Sequence, residues 1–512
     1  MNSAHRLLDA AALARHGTRT ALLCGDERID YAALAARVMR AAGALRALGA
    51  APGDRVLLLM RDTPEFVAAW LGAVHAGMIA VALNTKISPA DFLHIRTDSE
   101  ARLAIVEADF ARAQPDLTAQ LAGEGVLAIA GAEPLPGVPA WRDALARAPA
   151  HAEAFDAAPG EPALWIYSSG TTGRPKGIIH THRTIETCGQ LERDLLGLQA
   201  GDTVFATSKL FFSYALENGL LGPLSVGATA LLHPDWAEAE TVAALIDRHA
   251  PTAVFSVPSF YRRLLALPPA QRAGLDKVRH YVSAGERLPV SVAAPWREAT
   301  GREIVSAYGM SETFCVALAA AGVSASGVRT GRPLAGVEVR LLNEAGAEPA
   351  PGEPGVLWVR HPALALGYVN RPEATREQFV DGWFCTRDVF VRDAEDCYAH
   401  QGRADEFLKV AGQWVQPGDV EEAVSGLDAV LEAACVSVMD ADGFERLALF
   451  VIARDDARAA TDAAGEACAA KLPRHKRPKW IRVVAELPRT ATGKMQRYKL
   501  REQLQRELGG AV

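Results

Sequence analysis

The residues best suited to chemistry are concentrated in one string, Tyr167-Ser168-Ser169-Gly170-Thr171-Thr172-Gly173-Arg174-Pro175-Lys176-Gly177. Gly170, Gly173 and Gly177 permit backbone conformations closed to other residues. The hydroxyls of Ser169, Thr171 and Thr172 lie beside Lys176. Backbone N–H groups and hydroxyls donate hydrogen bonds, and a lysine adds a point charge, a combination suited to phosphate. The Walker pattern does not fit, because it needs a longer spacer before Gly-Lys and then Ser or Thr. Here Lys176 is followed by Gly177, and no helical pattern begins there. Apolar runs, Ala163 to Tyr167 and Gly177 to His180, flank the string. It therefore reads as a hairpin that grips a ligand at its tip. A generic Gly/Thr-rich stretch is more often a surface turn; the full string with its flanks favours the functional reading.

Other strings carry chemistry of their own. Lys209-Leu210-Phe211-Phe212-Ser213-Tyr214-Ala215-Leu216-Glu217-Asn218-Gly219 crowds aromatics that by composition alone are more often core. Ser283-Ala284-Gly285-Glu286-Arg287-Leu288-Pro289 ends an apolar run, and ligands of open α/β sheets sit at the carboxyl ends of strands. Ala307-Tyr308-Gly309-Met310-Ser311-Glu312-Thr313 sets a single glutamate after a strand, which by itself is ordinarily a solvated charge. Trp383-Phe384-Cys385-Thr386-Arg387-Asp388 ends on a carboxylate, a hydrogen-bond acceptor. Cys385 and Cys397 make no zinc site, since no second pair accompanies them. Gly402-Arg403-Ala404-Asp405-Glu406-Phe407 is a charged linker, and Pro488-Arg489-Thr490-Ala491-Thr492-Gly493-Lys494-Met495 is by itself a surface turn.

The elements that must position these residues are legible in the spacing. Leu34, Val38, Ala42, Leu45 and Leu48 recur at helical intervals, with Asp30 as N-cap and Gly49 as stop. Val56 to Met60 is a continuous apolar run, as in a strand buried on both faces. Helices are expected after Thr63-Pro64 and Ser88-Pro89, and strands at Ile79 to Leu83 and Leu103 to Val106. Such alternation implies parallel sheet covered by helices. The proline- and alanine-rich residues 134 to 162 read as an excursion over the surface. Strands are expected at Ala228 to Leu232 and Ala253 to Val257, with a helix from Asp235 to His249 between them. Val337 to Leu342 and Val356 to Arg360 suggest a small barrel-like subdomain.

The chain has 512 residues, too many for one core, and is 49% hydrophobic and 22% charged. A net charge of −7 argues against a nucleic-acid partner. No apolar run is long enough to suggest a membrane span, and the N-terminus lacks the apolar core of a secretory signal. Seven scattered cysteines without Cys-x-x-Cys read as free thiols of a cytoplasmic protein.

Taken together, these strings resemble the adenylate-forming superfamily, with the aryl-CoA ligases that act on benzoate as its nearest branch. The resemblance implies an α/β fold: a large N-terminal domain of two α/β subdomains plus a small β-barrel-like subdomain, then a small mobile α+β C-terminal domain. It implies residues 1–402 for acid and ATP binding, 403–407 as a hinge, and 408–512 as the domain carrying the catalytic lysine. By that resemblance Lys494, Glu312 and Lys176 are catalytic. ATP or AMP is met by Ser168, Ser169, Gly170, Thr171, Thr172, Gly173, Lys176, Gly285, Glu286, Arg287, Tyr308, Gly309, Ser311, Asp388 and Arg403. Glu312 holds magnesium. Phe212, Ser213, Tyr214, Ala284, Gly309 and Cys315 line the acyl pocket, and Asp405, Lys409, Gly412 and Trp414 serve the hinge and the path of coenzyme A. Three residues depart from the pattern. Glu217 stands where a small residue is commoner: facing the pocket it favours an amino or hydroxy substituent, and facing solvent it carries no meaning. Cys315 replaces a histidine. Arg387 replaces a glycine, with a guanidinium near enough for nucleotide phosphate or Asp388. The implied activity is ATP-dependent ligation of an aromatic acid to coenzyme A through an acyl-adenylate, in a cytoplasmic monomer or homodimer. Loading of a carrier-protein phosphopantetheine and activation of medium-chain or alicyclic acids stand as alternatives.

Overall fold

The structure is a computed structural model; it describes residues 2–131, 135–169, 174–321, 323–324, 327–404, 408–410, 413–440, 442–489 and 495–508. Two large sheets form the first part of the chain. One runs in the order Gly367–Tyr368, Pro175–Thr181, Pro162–Ser169, Ile79–Ala82, Arg55–Leu59, Leu103–Glu107, Leu127–Ala130. Its inner strands are parallel and apolar apart from Arg55 at the start of one and Glu107 at the end of another, as expected of strands covered on both faces. Their helices start where the sequence signals them. Asp30 accepts from Ala33 N–H at 2.7 Å, Thr63 from Phe66 N–H and Ser88 from Asp91 N–H. Gly49 takes φ 90°, which only glycine adopts cheaply, just past the end of Tyr31–Ala47.

The second sheet is ordered Arg332–Pro333, Leu318–Ala321, Ile304–Tyr308, His280–Ser283, Ala253–Ser256, Thr203–Ala206, Thr229–Leu232, Thr20–Cys24, Glu27–Asp30. The parallel register pairs Ser256 with Ser283 and Ser283 with Ser306. The segments that follow these strands therefore leave the carboxyl edge side by side. A third, antiparallel sheet contains Glu338–Leu342, Pro354–Arg360, Trp383–Arg392 and Tyr398–Arg403. The C-terminal region packs Pro417–Val424, Ala457–Lys471 and Arg497–Glu507 on the sheet Val430–Met439, Glu445–Ala453, Trp480–Val483.

Two expectations from the spacing are revised. Residues 134 to 162 are not only a surface excursion: they include the helix Trp141–Arg147, whose Trp141 is fully buried in the main core. The helix expected from Asp235 starts at Ala239. Trp236 is held out of it by Phe211, edge-on at 6.3 Å, and by Lys86 Nζ, 4.2 Å over its ring.

Candidate active site

The hairpin is present: Pro162–Ser169 pairs antiparallel with Pro175–Thr181, with Ser168 opposite Lys176 and Ser169 opposite Pro175. Its tip, Gly170, Thr171, Thr172 and Gly173, lies outside the described residues. Lys176 Nζ reaches Glu312 Oε1 at 3.0 Å. Tyr368 donates its hydroxyl to the same oxygen at 2.8 Å, and its ring lies 4.0 Å beneath the lysine nitrogen. Tyr368 is carried there by the short strand Gly367–Tyr368, which pairs with Ile178 and Ile179 of the hairpin. His180, fully buried, meets the Ser311 carbonyl with Nε2 at 2.7 Å. Burial pulls its imidazole down to about 4, so the ring is neutral and Nε2–H is the donor. Its edge contact with Phe314, whose φ of 60° turns the chain, fixes the loop that presents Ser311 and Glu312. Gly309 allows that loop to close, since a Cβ there would stand 3.1 Å from the Cys315 carbonyl oxygen.

A second group adjoins the first through Tyr308. Its hydroxyl donates to Asp388 at 2.5 Å. Arg403, opposite Asp388 in the strand register, approaches it to 3.6 Å, and His400 to 3.7 Å. Burial opposes ionisation of Asp388, but His400, Arg403 and the Tyr308 hydroxyl outweigh it and hold the carboxyl below its ordinary range. Arg387 takes φ 58°, the left-handed conformation for which a glycine is suited. The backbone shape is kept, while the half-exposed guanidinium points to Glu377 at 3.8 Å rather than to Asp388.

The loop after His280–Ser283 turns at Gly285 with φ 85°. Glu286 and Arg287 both engage the C-terminal region in this structure. Arg489 lies 3.3 Å from Glu286 and also pairs with Glu432, while Arg287 lies 3.4 Å from Glu422. Ser291 and Ser425 share a hydrogen bond of 2.6 Å beside them. Lys494, Asp405 and Gly412 lie outside the described residues; Lys409 and Trp414 are described in backbone only, as cross-strand partners.

Of the candidate pocket residues, Ser213, Ala284 and Cys315 are buried and Phe212 and Tyr214 half-buried. Phe212 stacks on Phe211 at 4.2 Å, and Tyr214 sets its hydroxyl 3.2 Å from the Val282 carbonyl. Lys209 serves the scaffold: it donates to the His233 carbonyl at 2.5 Å and lies 3.6 Å from Asp62. Burial pushes Asp62 up to about 6, against the pull of Lys209 and the Leu210 N–H. Glu217 does not face solvent. It is 2% exposed and accepts from Val316 N–H at 3.2 Å. Tyr368, His400 and His180 escaped the sequence reading. Their partners are distant in the chain, and no local spacing marks them.

A family model described as AMP-binding enzyme matches residues 8–369, and the AMP-binding enzyme C-terminal domain matches residues 419–494. The chain belongs to the AMP-binding enzyme family. It is 39% identical to a 3-hydroxybenzoate–CoA/4-hydroxybenzoate–CoA ligase of Thauera aromatica, over 99% of this chain and 98% of that one. It is 37% identical to a benzoate–CoA ligase of the same organism, over 98% and 95%. A solved anthranilate CoA ligase in complex with anthranoyl-AMP superposes with a TM-score of 0.89 at 31% identity, over 98% of this chain and 97% of that one. A benzoate CoA ligase of Burkholderia xenovorans LB400 superposes at 0.87 and 33%, over 98% and 100%. For the AMP-binding family the two α/β sheets, the half-barrel and the small C-terminal domain are the expected architecture, so the expectation of fold is met. The chain is an ATP-binding adenylating enzyme that uses coenzyme A.

Proposed function

We propose that the chain is an AMP-forming aryl-CoA ligase acting on benzoate or a hydroxy- or aminobenzoate. The observation that carries this reading is full-length similarity to ligases named for hydroxybenzoates, benzoate and anthranilate. The Lys176–Glu312 pair beside Tyr308 and Asp388 supports it with a site of matching chemistry. A carboxylate is a poor acyl donor because oxide leaves badly. In the first step a carboxylate oxygen attacks the α-phosphorus of ATP and the bond to pyrophosphate breaks. Two anions must meet, so the site has to neutralise charge before they react. Lys176, Lys494 and the hairpin donors Ser168, Ser169, Gly170, Thr171, Thr172 and Gly173 take that role, and Asp388 with Arg403 orients the nucleotide. Glu312 is the residue that would hold magnesium. Lys176 and Tyr368 both meet its Oε1, which leaves Oε2 for a hard cation. The bound ion would offset phosphate charge.

In the second step the thiol sulfur of coenzyme A bonds to the acyl carbon, its proton is lost and AMP leaves. A hinge at 403–407 with Asp405 as pivot lets the domain 408–512 present Lys494 first and then Lys409, Gly412 and Trp414 along the thiol path. Arg489 pairs with Met495 in a β-bridge and reaches Glu286. Among the described residues no helix is long and apolar enough to cross a membrane; a cytoplasmic monomer or homodimer is part of the same proposal. The test is pyrophosphate release with benzoate, hydroxybenzoates, aminobenzoates, cyclohexanecarboxylate and medium-chain acids, each with and without coenzyme A. Turnover that requires both an aryl acid and coenzyme A is expected. Release limited to about one turnover whatever the coenzyme A would point instead to a carrier-protein loader.

A further inference from the structure

Behind Tyr214 and Cys315 lies a group of buried side chains that the adenylation chemistry does not use. Glu217 follows Tyr214 one helical turn later, so the two side chains share a face. Its carboxyl accepts from Val316 N–H at 3.2 Å and from Asn218 Nδ2 at 2.9 Å, and it abuts the Cys315 thiol. Cys188 Sγ is 3.7 Å from Cys315 Sγ. Glu192, fully buried, seats its carboxyl on Gly222 of the same helical run. Neither Glu192 oxygen has a hydrogen-bond partner among the described residues, and neither has the buried Asn218 Oδ1. The two segments that carry these carboxyls are each wound as a π-turn, Leu191–Leu195 and Glu217–Leu221, a geometry frequent at functional sites. Burial, and for Glu217 also the neighbouring Glu192, pushes both carboxyls upward.

Unpaired buried acceptors are costly, and a core that needed only filling is served better by apolar side chains. We propose that Glu217, backed by Glu192 and Asn218, is a specificity-determining residue that reads an amino or hydroxyl substituent on the ring of the aromatic acid. This rests on the aryl-CoA ligase reading and narrows its substrate class. A protonated carboxyl both donates and accepts, as does a phenolic hydroxyl, so the match buries no net charge. An unsubstituted ring presents only C–H edges to it. A methyl group fills the same space without pairing. A second carboxylate on the ring brings a charge the cluster does not balance.

The test compares kcat/KM for hydroxy- and aminobenzoates with benzoate and with methylbenzoates of matching position. It uses the full chain, with ATP, magnesium and coenzyme A saturating. Wild type should favour its best donor-substituted acid over the matching methylbenzoate by about tenfold or more. Glu217→Gly should bring that ratio near one, with the change in KM for the acid and not in KM for ATP. Glu217→Gln, closest in shape, should lower the ratio by less; it carries the test alone if the glycine variant does not fold. A wild-type ratio near one, or a ratio that neither variant moves, overturns the inference and leaves the cluster a purely structural one. Turnover of aryl acids with a flat substituent profile overturns this inference alone. No turnover with any aryl acid overturns it together with the reading beneath it.

Discussion

At the scale of single residues, opposite signs of pKa shift divide the pH response. His180 and His361 are both buried and drawn down to about 4, chiefly by desolvation. The unfolded chain binds those protons more readily, so the stability they contribute is present above about 6.5 and is lost as pH falls toward 4. Glu192 works the other way. Burial pushes it from an ordinary 4.5 up to about 8. Here the folded state binds the proton more readily, so stability is fully present below about 4.5 and is lost as pH rises through 8. Glu192→Gln removes that titration. The fall in wild-type melting temperature between about pH 6.5 and pH 8, above the histidine window, should therefore flatten in the variant; an unchanged fall would mean that Glu192 is already ionised. Tyr308→Phe deletes the hydroxyl that donates to Asp388. KM for ATP should rise by about tenfold with little change in KM for the acid, the scale of one hydrogen bond to a charged group. Such residues were legible to different degrees. Lys176, Glu312 and Asp388 stand in strings whose types announce a task. Tyr368 and His400 do not, because each acts through a partner that only the fold supplies.

At the scale of elements, strands and helix starts were readable where the signal is local. The apolar run Val56 to Met60 and the caps Asp30, Thr63 and Ser88 each fix their own structure. What could not be read is set by packing across the chain. Trp236 delays a helix by docking on Phe211, and Trp141 draws a helix into what composition marks as a surface link. The Arg387 turn lies between these cases. Sequence showed a residue where a glycine is expected, and the structure shows the left-handed backbone retained at φ 58°. A non-glycine residue is strained there, and its exposed ion pair at 3.8 Å from Glu377 returns little. Arg387→Gly should therefore stabilise the protein by about 0.5–1 kcal/mol, and Arg387→Val should destabilise it by more than about 1 kcal/mol. Denaturant midpoints would measure both; a destabilising glycine would show that the guanidinium contributes more than its distance suggests.

At the scale of the whole molecule, two sheets and a smaller antiparallel one converge on Lys176, Glu312, Tyr308 and Asp388, while the C-terminal region is tethered alongside through Arg489. The proposed division of labour between the domains predicts that Lys494→Ala abolishes adenylate formation, by about 10²–10³ or more in rate, yet spares thioester formation from supplied acyl-adenylate. Equal loss of both half-reactions would remove that division. The most direct measurement is a chase experiment on the wild-type chain with a hydroxybenzoate, benzoate or aminobenzoate. Enzyme, ATP, magnesium and acid are mixed without coenzyme A, the bound product is identified by mass, and coenzyme A is then added. The account predicts an aryl-adenylate that accumulates to about one per active site and is then converted to aryl-CoA and AMP, as enzyme-bound intermediates of two-step transfers do. An adenylate that persists unchanged after coenzyme A is added, or none formed with any aryl acid, would contradict it.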